Sequence, residues 1–222
     1  MGFIVAVDGT AGSGKGSITK IVAERLNLTA IDTGAMYRCV ALAMIENNIK
    51  IEETEKISEL LKNIKIEFKE DENSKKVFLN GNDVTLKIRS VEVTQYVSPV
   101  ATIGIVREHL VKLQRQMAET IDVIMEGRDI GTNVFPNADV KIYLDATPEE
   151  RAKRRVLQNK ENGIDTPFEE ILQSVKDRDY RDSNREIAPL TKAPDAIYID
   201  STGMSVEEEA EVVIKIIEEK RK

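Results

Sequence analysis

The sequence predicts an α/β fold in which a five-stranded parallel sheet is flanked by helices and interrupted by a small antiparallel sheet. Five short apolar runs are continuous rather than alternating, as strands are when both faces of a parallel sheet are buried. Helical patterns lie between these runs, which favours right-handed crossover connections. The predicted strands are Phe3–Asp8, Thr29–Asp32, Val123–Glu126, Val140–Leu144 and Ala196–Asp200.

Composition limits the class of protein. The chain has 222 residues, 41% of them hydrophobic, and a net charge of −7. This length suits one domain with inserts, and the negative charge disfavours nucleic acid or an anionic membrane as a partner. No signal peptide or membrane-spanning apolar run is evident. The single cysteine, Cys39, lies in a helical apolar pattern, which predicts a core residue in a reducing, cytoplasmic environment.

The first predicted strand leads into a glycine-rich loop and then a helical pattern from Ile18 to Leu26. Strand, G-x-x-x-x-G-K and helix together form a phosphate-binding P-loop, in which backbone N–H groups and a helix N-terminus face an anion. We expect Lys15 to contact the β- and γ-phosphates. The usual motif has Ser or Thr directly after the lysine, whereas here Gly16 intervenes and the hydroxyl expected to bind Mg²⁺ is that of Ser17. The loop residues are Gly9, Thr10, Ala11, Gly12, Ser13, Gly14, Lys15, Gly16 and Ser17.

The segment from Ile51 to Tyr96 departs from the alternation of strand and helix. Asn80-Gly81 between two extended runs predicts a hairpin, and the charged tract Lys69–Lys76 predicts a solvated loop. Further along, Ile105–Thr120 has the apolar spacing of a helix, and the sequences starting at Thr147 and Ser205 each resemble a capping box.

Polar side chains follow the second and third strands, at the sheet edge where open α/β proteins bind ligands. Thr33 and Arg38 follow the second strand; Glu126, Arg128 and Asp129 follow the third. A hydroxyl and an arginine near a helix N-terminus predict a second anion site. Glu126 has the position of the acidic residue near Mg²⁺ in P-loop enzymes.

The segment from Arg151 to Arg185 is rich in arginine. Arg151, Arg154 and Arg155 share one helix face by spacing, and Arg178, Arg181 and Arg185 share a second. Interleaved acids favour salt-bridged, solvated faces when the segment is considered alone. Next to two anion sites, the same arginines are expected to form a lid that stabilises a phosphoryl group in transfer.

The sequence shows no zinc cluster and no nucleophile–base pair, and its only histidine, His109, lies on the exposed side of a helix by pattern. The reaction should therefore need no strong protein base. A phosphate acceptor meets this condition, since its second pKa is about 6. A hydroxyl acceptor stays an alternative because Asp129 could act as its base.

The chain resembles the bacterial cytidylate kinase family from Ile4 to about Ser205. The matching stretches are V-D-G-T-A-G-S-G-K-G-S, I-D-T-G-A-M-Y-R, E-G-R-D-I-G-T, V-K-I-Y-L-D-A-T-P-E-E-R-A-K-R-R and R-D-Y-R-D-S-N-R-E-I-A-P-L. The resemblance implies transfer of the γ-phosphoryl group of ATP to CMP or dCMP with Mg²⁺. It also implies a P-loop kinase core (1–38, 97–150, 186–222), an inserted monophosphate-binding domain (39–96) and a lid (151–185).

The resemblance also implies roles for individual residues. Lys15 and Arg154 would face ATP, while Lys15, Arg128, Arg178 and Arg185 would act in catalysis. The CMP phosphate would be held by Thr33, Arg38, Arg128 and Arg185. The cytosine would be read by Ser98, Arg107 and Asp129, and the ribose by Arg178 and Asp182.

Two positions depart from the family pattern. Glu126 replaces an aspartate and is expected to reach a metal-bound water, while Ser17 replaces a threonine and keeps the hydroxyl. The closest alternative is a P-loop kinase for UMP, AMP or a hydroxyl compound. A GTPase or regulatory nucleotide-binding module is disfavoured because no guanine-reading N-K-x-D motif is evident. A monomer is expected, since no exposed apolar stripe is evident.

Overall fold

The computed structural model describes residues 2–71, 74–161 and 163–222. Contacts between Cα atoms divide the chain into two compact units. Residues up to 31 together with 117–222 form one, called here the core unit, and residues 32–116 form the other, the insert unit. The division predicted from the sequence, with an insert at 39–96 and a lid at 151–185, stays a prediction.

Among the described residues, the main sheet has five strands: β1 Ile4–Gly9, β2 Thr29–Asp32, β6 Val123–Gly127, β7 Val140–Asp145 and β8 Ile197–Asp200. Their order in the sheet is β2-β6-β1-β7-β8, which confirms the predicted fold class. β1 pairs in parallel with both β6 and β7, and β7 with β8.

Helices cover this sheet because their apolar faces match its buried side chains. Val5 and Ile142 of the sheet belong to one buried cluster with Ile18 and Val22 of the first helix and Val213 of the last. This packing holds the loop between β1 and the first helix on a rigid base. The helices of the core unit are α1 Lys15–Leu26, α6 Pro148–Glu161, α7 Phe168–Asn184 and α8 Val206–Arg221.

Helix starts follow the predicted capping chemistry. The Thr147 hydroxyl accepts from Glu150 N at 3.3 Å. Ser205 and Glu208 form a reciprocal capping box, in which Ser205 N donates to the Glu208 carboxylate at 2.8 Å. A π-helix, Ile130–Val134, follows β6.

The insert unit contains a three-stranded antiparallel sheet in the order β3-β4-β5, within the described part of the chain. Asn80 and Gly81 form the predicted hairpin turn with positive φ angles of 50° and 82°. The strands are β3 Ile66–Asp71, β4 Ser74–Leu79 and β5 Asn82–Asp83, and the helices are α2 Thr33–Glu46, α3 Thr54–Lys62, α4 Val91–Val100 and α5 Gly104–Met117. α2 packs against both α3 and α4.

The charged tract Lys69–Lys76 was expected to be a loop, but most of it is strand. β3 continues to Asp71 and β4 begins at Ser74, and Lys69 is the backbone partner of Lys76. Residues 72 and 73 of the predicted loop lie outside the described residues. An antiparallel strand can present charged side chains to water, so charge alone does not indicate a loop.

Candidate active site

The P-loop joins β1 to α1 through backbone conformations that only glycine adopts readily. Gly9 has a φ of 147°, and a Cβ there would lie 1.8 Å from the Leu144 carbonyl oxygen of β7. Gly14 has a left-handed φ of 97° and forms the N-cap of α1. These two glycines turn the chain from the sheet edge into the helix N-terminus, where anions are stabilised.

Lys15 is held inside the loop that it belongs to. Its ammonium group donates to the Gly9 and Thr10 carbonyl oxygens at 2.9 and 2.6 Å and to the Ser13 hydroxyl at 3.2 Å. Burial lowers the pKa of Lys15, and the nearby charge of Arg128 lowers it further. A bound phosphate would favour the charged ammonium, because an anion nearby stabilises a cation.

Two arginines of α6 support the P-loop from behind. Arg151 Nη1 donates to the Ala11 carbonyl oxygen at 3.1 Å, and Arg154 Nη1 donates to the Ser13 carbonyl oxygen at 3.4 Å. Arg151 is only 2% exposed and forms a bidentate pair with Asp179 of α7. Loop carbonyl oxygens are thus satisfied by these cations, as buried polar groups require.

Asp8, the last residue before Gly9, was missed by sequence reasoning. Its two carboxylate oxygens accept from Ile130 N and Gly131 N, both at 2.7 Å. Burial raises the pKa of Asp8 to about 6, although both backbone hydrogen bonds act in the opposite direction. Asp8 therefore fixes the loop after β6 that carries Arg128 and Asp129. The sequence pattern that could have identified Asp8 is a carboxylate at the end of an apolar strand, directly before the P-loop.

The structure brings together five predicted site residues of the core unit. Arg128 Nε lies 3.0 Å from an Asp182 oxygen, and Arg178 Nε lies 4.0 Å from the same oxygen. Arg185 Nη2 lies 3.6 Å from Asp129, and both of these side chains are 8% exposed. Three cations thus converge on two carboxylates at the carboxyl end of the sheet.

The predicted arginine stripe on one helix is corrected at its end. α7 stops at Asn184, and Arg185 follows in an extended conformation, so it does not continue the helical spacing of Arg178 and Arg181. Arg181 is exposed, and its Nε donates to the Asp177 carbonyl oxygen. Arg178 and Arg185 therefore reach the carboxylates from different backbone geometries, while Arg181 faces solvent.

The oxygen atoms of Glu126 and Ser17 lie near the start of α1. The Thr19 hydroxyl donates to Glu126 Oε1 at 3.5 Å, and a Cβ at Gly16 would lie 3.2 Å from the same oxygen. The carboxylate therefore lies against the first turn of α1, where Ser17 is exposed. A hydroxyl and one carboxylate fit Mg²⁺, which prefers oxygen ligands and keeps several waters and phosphates.

In the insert unit, Thr33 and Arg38 lie in α2 as predicted. Asp32, which sequence reasoning did not select, caps this helix by accepting from Ala35 N at 2.9 Å and pairs with Arg38 Nη2 at 2.8 Å. Burial alone would raise the pKa of Asp32, but the charge of Arg38 and the Ala35 N–H bring the pKa below its usual value. Asp32 thus sets the orientation of Arg38, while Thr33 is buried.

The two remaining predicted base-reading residues also lie in the insert unit. Arg107 of α5 is 4% exposed, its guanidinium lies 5.9 Å from the Tyr37 ring centroid, and it donates to the Ala101 carbonyl oxygen at 3.4 Å. Ser98 is half-buried on α4. The ring and the carbonyl contact orient the arginine, as cation–π geometry favours.

Two residues with weaker signals were also assigned from the sequence. Cys39 is fully buried, and burial raises its pKa to about 12, which confirms a core residue rather than a nucleophile. His109 was expected to be exposed but is half-buried, and its pKa is lowered by burial and by Lys112. A histidine can bury part of its ring on an amphipathic helix, which the apolar spacing does not reveal.

The P-loop, the converging arginines and the parallel sheet define a nucleotide-dependent phosphotransferase. A model of the cytidylate kinase family matches residues 5–219, and the chain belongs to that family. Cytidylate kinases of Bacillus cereus (strain ATCC 10987 / NRS 248) and Bacillus thuringiensis (strain Al Hakam) are each 46% identical over 96% of this chain and 95% of theirs.

A solved structure shares the fold. The crystal structure of an uncharacterized protein from Eubacterium ventriosum ATCC 27560 has a TM-score of 0.54 with 13% identity, covering 97% of this chain and 98% of that one.

Within the described ranges, no helix is long and apolar enough to span a membrane.

Proposed function

We propose that this enzyme transfers the γ-phosphoryl group of ATP to the phosphate of CMP or dCMP, giving ADP and CDP or dCDP. In this reaction the bond between the γ-phosphorus and the β–γ bridging oxygen breaks, and a bond forms from the γ-phosphorus to an acceptor phosphate oxygen. Family membership together with the convergence of Arg128, Arg178 and Arg185 carries the proposal.

The core unit supplies the charge that phosphoryl transfer needs. The transferred group carries negative charge on its oxygens, and positioned cations stabilise that charge in the transition state. Lys15 would bind the donor phosphates, with the P-loop N–H groups around it. The arginines that now pair with Asp129 and Asp182 would exchange part of that pairing for phosphate oxygens.

Residues of this chain would also hold Mg²⁺. Ser17 would offer its hydroxyl, and Glu126 would reach the ion through water. When bound, the ion would neutralise part of the phosphate charge of ATP. Glu126 is one methylene longer than the aspartate of the family pattern, so an indirect contact suits its position against Gly16.

No strong base is required of the protein, because the acceptor phosphate is already largely dianionic at neutral pH. Asp129 would instead accept from the exocyclic amine of cytosine, a donor that uracil lacks. The roles of Thr33, Arg38, Ser98 and Arg107 toward CMP, and of Arg154 toward ATP, stay predictions from the resemblance. A cytoplasmic location and a monomeric state also stay predictions, and these come from the composition and the apolar pattern of the sequence.

The test is coupled ADP release with Mg-ATP and five acceptors: CMP, dCMP, UMP, AMP and shikimate. Rapid turnover with CMP and dCMP and little with AMP or shikimate is expected. Rapid turnover with a hydroxyl acceptor, or background rates with all five, would overturn the proposal. Asp129→Ala distinguishes two roles of that carboxylate. If Asp129 is a general base, turnover is lost with every acceptor; if it binds the cytosine amine, the preference among acceptors changes.

The arginines can be tested with a matched pair of variants on α7. Arg178→Ala should lower kcat by about 10³-fold, because one arginine that stabilises a transferring phosphoryl group is worth at least that much. Arg181→Ala removes the same charge from the same helix but from an exposed position, so kcat should stay within about twofold. Equal losses in the two variants would contradict the assignment.

A further inference from the structure

A buried carboxylate lies directly beneath the P-loop. Glu209, in the first turns of α8, has 0% exposed surface. A Cβ at Gly14 would lie 2.8 Å from Glu209 Oε2 and 3.2 Å from Arg154 Nη1. The backbone of the loop thus packs against Glu209 and Arg154 at the residue that begins α1.

Arg154 is the counter-ion of this carboxylate. Arg154 Nη2 lies 3.0 Å from Glu209 Oε1. Burial raises the pKa of Glu209, and the charge of Arg154 opposes that rise. Arg154 also pairs through Nε with Glu150 at 3.3 Å, but Glu150 is 25% exposed, so Glu209 is the buried one of these two carboxylates. Neutralising Glu209 would leave the buried side of the guanidinium without its counter-charge.

The same guanidinium anchors one peptide group of the loop. Arg154 Nη1 donates to the Ser13 carbonyl oxygen at 3.4 Å, and Arg154 Nη2 donates to the Ser201 carbonyl oxygen at 2.8 Å. The Ser201 hydroxyl donates to the Ser13 carbonyl oxygen as well, at 3.3 Å. Two donors therefore fix the direction of the Ser13 carbonyl group.

Fixing that carbonyl also fixes an N–H group. The peptide bond between Ser13 and Gly14 is planar and trans, so the Gly14 N–H points in the direction opposite to the Ser13 carbonyl oxygen. With the oxygen turned toward Arg154 and Ser201, the N–H is turned away from them. Backbone N–H groups of this loop are the donors that a P-loop offers to phosphates.

We propose that Glu209 is a positioning residue for the ATP phosphates, which acts through Arg154 on the Ser13–Gly14 peptide. The inference rests on the proposed use of ATP and adds a residue outside the P-loop that determines donor affinity. Glu209 touches no reacting atom. Its carboxylate keeps Arg154 in place, and Arg154 keeps the peptide turned.

The test compares Glu209→Gln with Glu218→Gln in the full-length chain. Both variants remove one negative charge from α8, but Glu218 is exposed. Calorimetric binding of a non-hydrolysable ATP analogue with Mg²⁺, without any acceptor, gives the donor affinity directly. We expect the Kd of Glu209→Gln to rise about tenfold, the range of one lost charge-assisted contact, and that of Glu218→Gln to stay within about twofold.

Steady-state kinetics supply a readout that a merely structural role would not move. KM for ATP should rise in Glu209→Gln while KM for CMP and kcat stay close to wild type. An unchanged Kd in a folded Glu209→Gln variant would overturn the proposal. So would a tighter Kd, because Glu209 would then be competing with phosphate for Arg154.

A second variant keeps the proposal testable if Glu209→Gln fails to fold. Ser201→Ala keeps both charges of the pair but removes the other donor to the Ser13 carbonyl oxygen, together with the contacts of that hydroxyl to Arg154 and Glu209. It should raise the analogue Kd about threefold. An unchanged Kd would overturn the peptide-anchoring argument. Failure of the proposed function is seen separately, as a wild-type enzyme that binds the ATP analogue without phosphorylating CMP.

Discussion

Asp8→Asn isolates the energetic cost of placing a carboxylate between the P-loop and the loop after β6. Asp8 is 4% exposed, and burial raises its pKa from 3.8 to about 6. Since one pKa unit corresponds to about 1.36 kcal/mol, this rise amounts to about 3 kcal/mol of unfolding free energy. Asparagine has a similar shape but does not titrate.

The sign follows from where the proton binds more tightly. The folded protein binds the Asp8 proton more tightly than the unfolded chain does. Asp8 therefore contributes stability that is fully present below about pH 3.8 and is lost as the pH rises through about 6. The variant lacks this contribution, so its unfolding free energy minus that of the wild type should increase by about 2–3 kcal/mol between pH 4 and pH 8, because the unfolded carboxyl is already more than half ionised at pH 4.

Urea denaturation of both proteins at half-unit pH intervals measures this difference, and Asp200→Asn is the control. Asp200 is exposed, and hydrogen bonds from Thr202 lower its pKa. Its contribution is lost only as the pH falls below about 3.8, so its difference curve should be nearly flat from pH 4 to pH 8. A flat or falling curve for Asp8→Asn would refute the reasoning.

Activity gives a second readout for the same variant. A carboxylate accepts from both Ile130 N and Gly131 N, whereas a carboxamide turns an NH₂ group toward one of these donors. Leaving one buried N–H unpaired costs about 1–3 kcal/mol. We therefore expect kcat/KM for CMP at pH 8 to fall about tenfold or more, even though the variant gains relative stability at that pH.

Three further substitutions test the support of the P-loop. Gly14→Ala puts a Cβ 2.8 Å from Glu209 on a backbone with a φ of 97°, so urea denaturation should show a loss of about 1–3 kcal/mol and calorimetry weaker ATP binding. Arg151→Ala removes the counter-ion of Asp179 and a hydrogen-bond donor to the loop. We expect the unfolding free energy measured in urea to fall by about 3 kcal/mol and KM for ATP to rise. If neither value changed, the two contacts would not contribute as the structure indicates. Ser205→Ala removes the capping box of α8 and should lower the unfolding free energy measured in urea by about 1 kcal/mol, while KM for ATP and KM for CMP stay unaltered.

Features that depend on neighbouring residues in the chain could be predicted from the sequence. β2 spans Thr29–Asp32 as predicted, and the hairpin turn lies at Asn80 and Gly81. Apolar runs, glycine positions and capping residues act within a few residues of one another, so their patterns are legible without the fold. The P-loop was the strongest of these, because a strand, a fixed glycine spacing and a helix all coincide.

Contacts across the fold could not be predicted in the same way. Asp8 bonds to Gly131 and Arg154 to Ser13, at separations of more than one hundred residues, and neither pair has a local signature. For Arg185 a local pattern was misleading. Its spacing from Arg178 and Arg181 predicts a position on the same helix face, but α7 ends at Asn184 and Arg185 is extended. Periodicity indicates which face a residue would share if the helix continued, and it does not fix where the helix ends.

The arginines of α6 contact main-chain atoms of the P-loop, and this affects which positions can vary in sequence. Arg151 contacts the carbonyl oxygen of Ala11, a group that every amino acid carries. Saturation mutagenesis should therefore find position 11 permissive and position 151 intolerant, although only position 11 lies inside the phosphate-binding motif. A search restricted to the motif's own letters would overlook the arginine on which the shape of the loop depends.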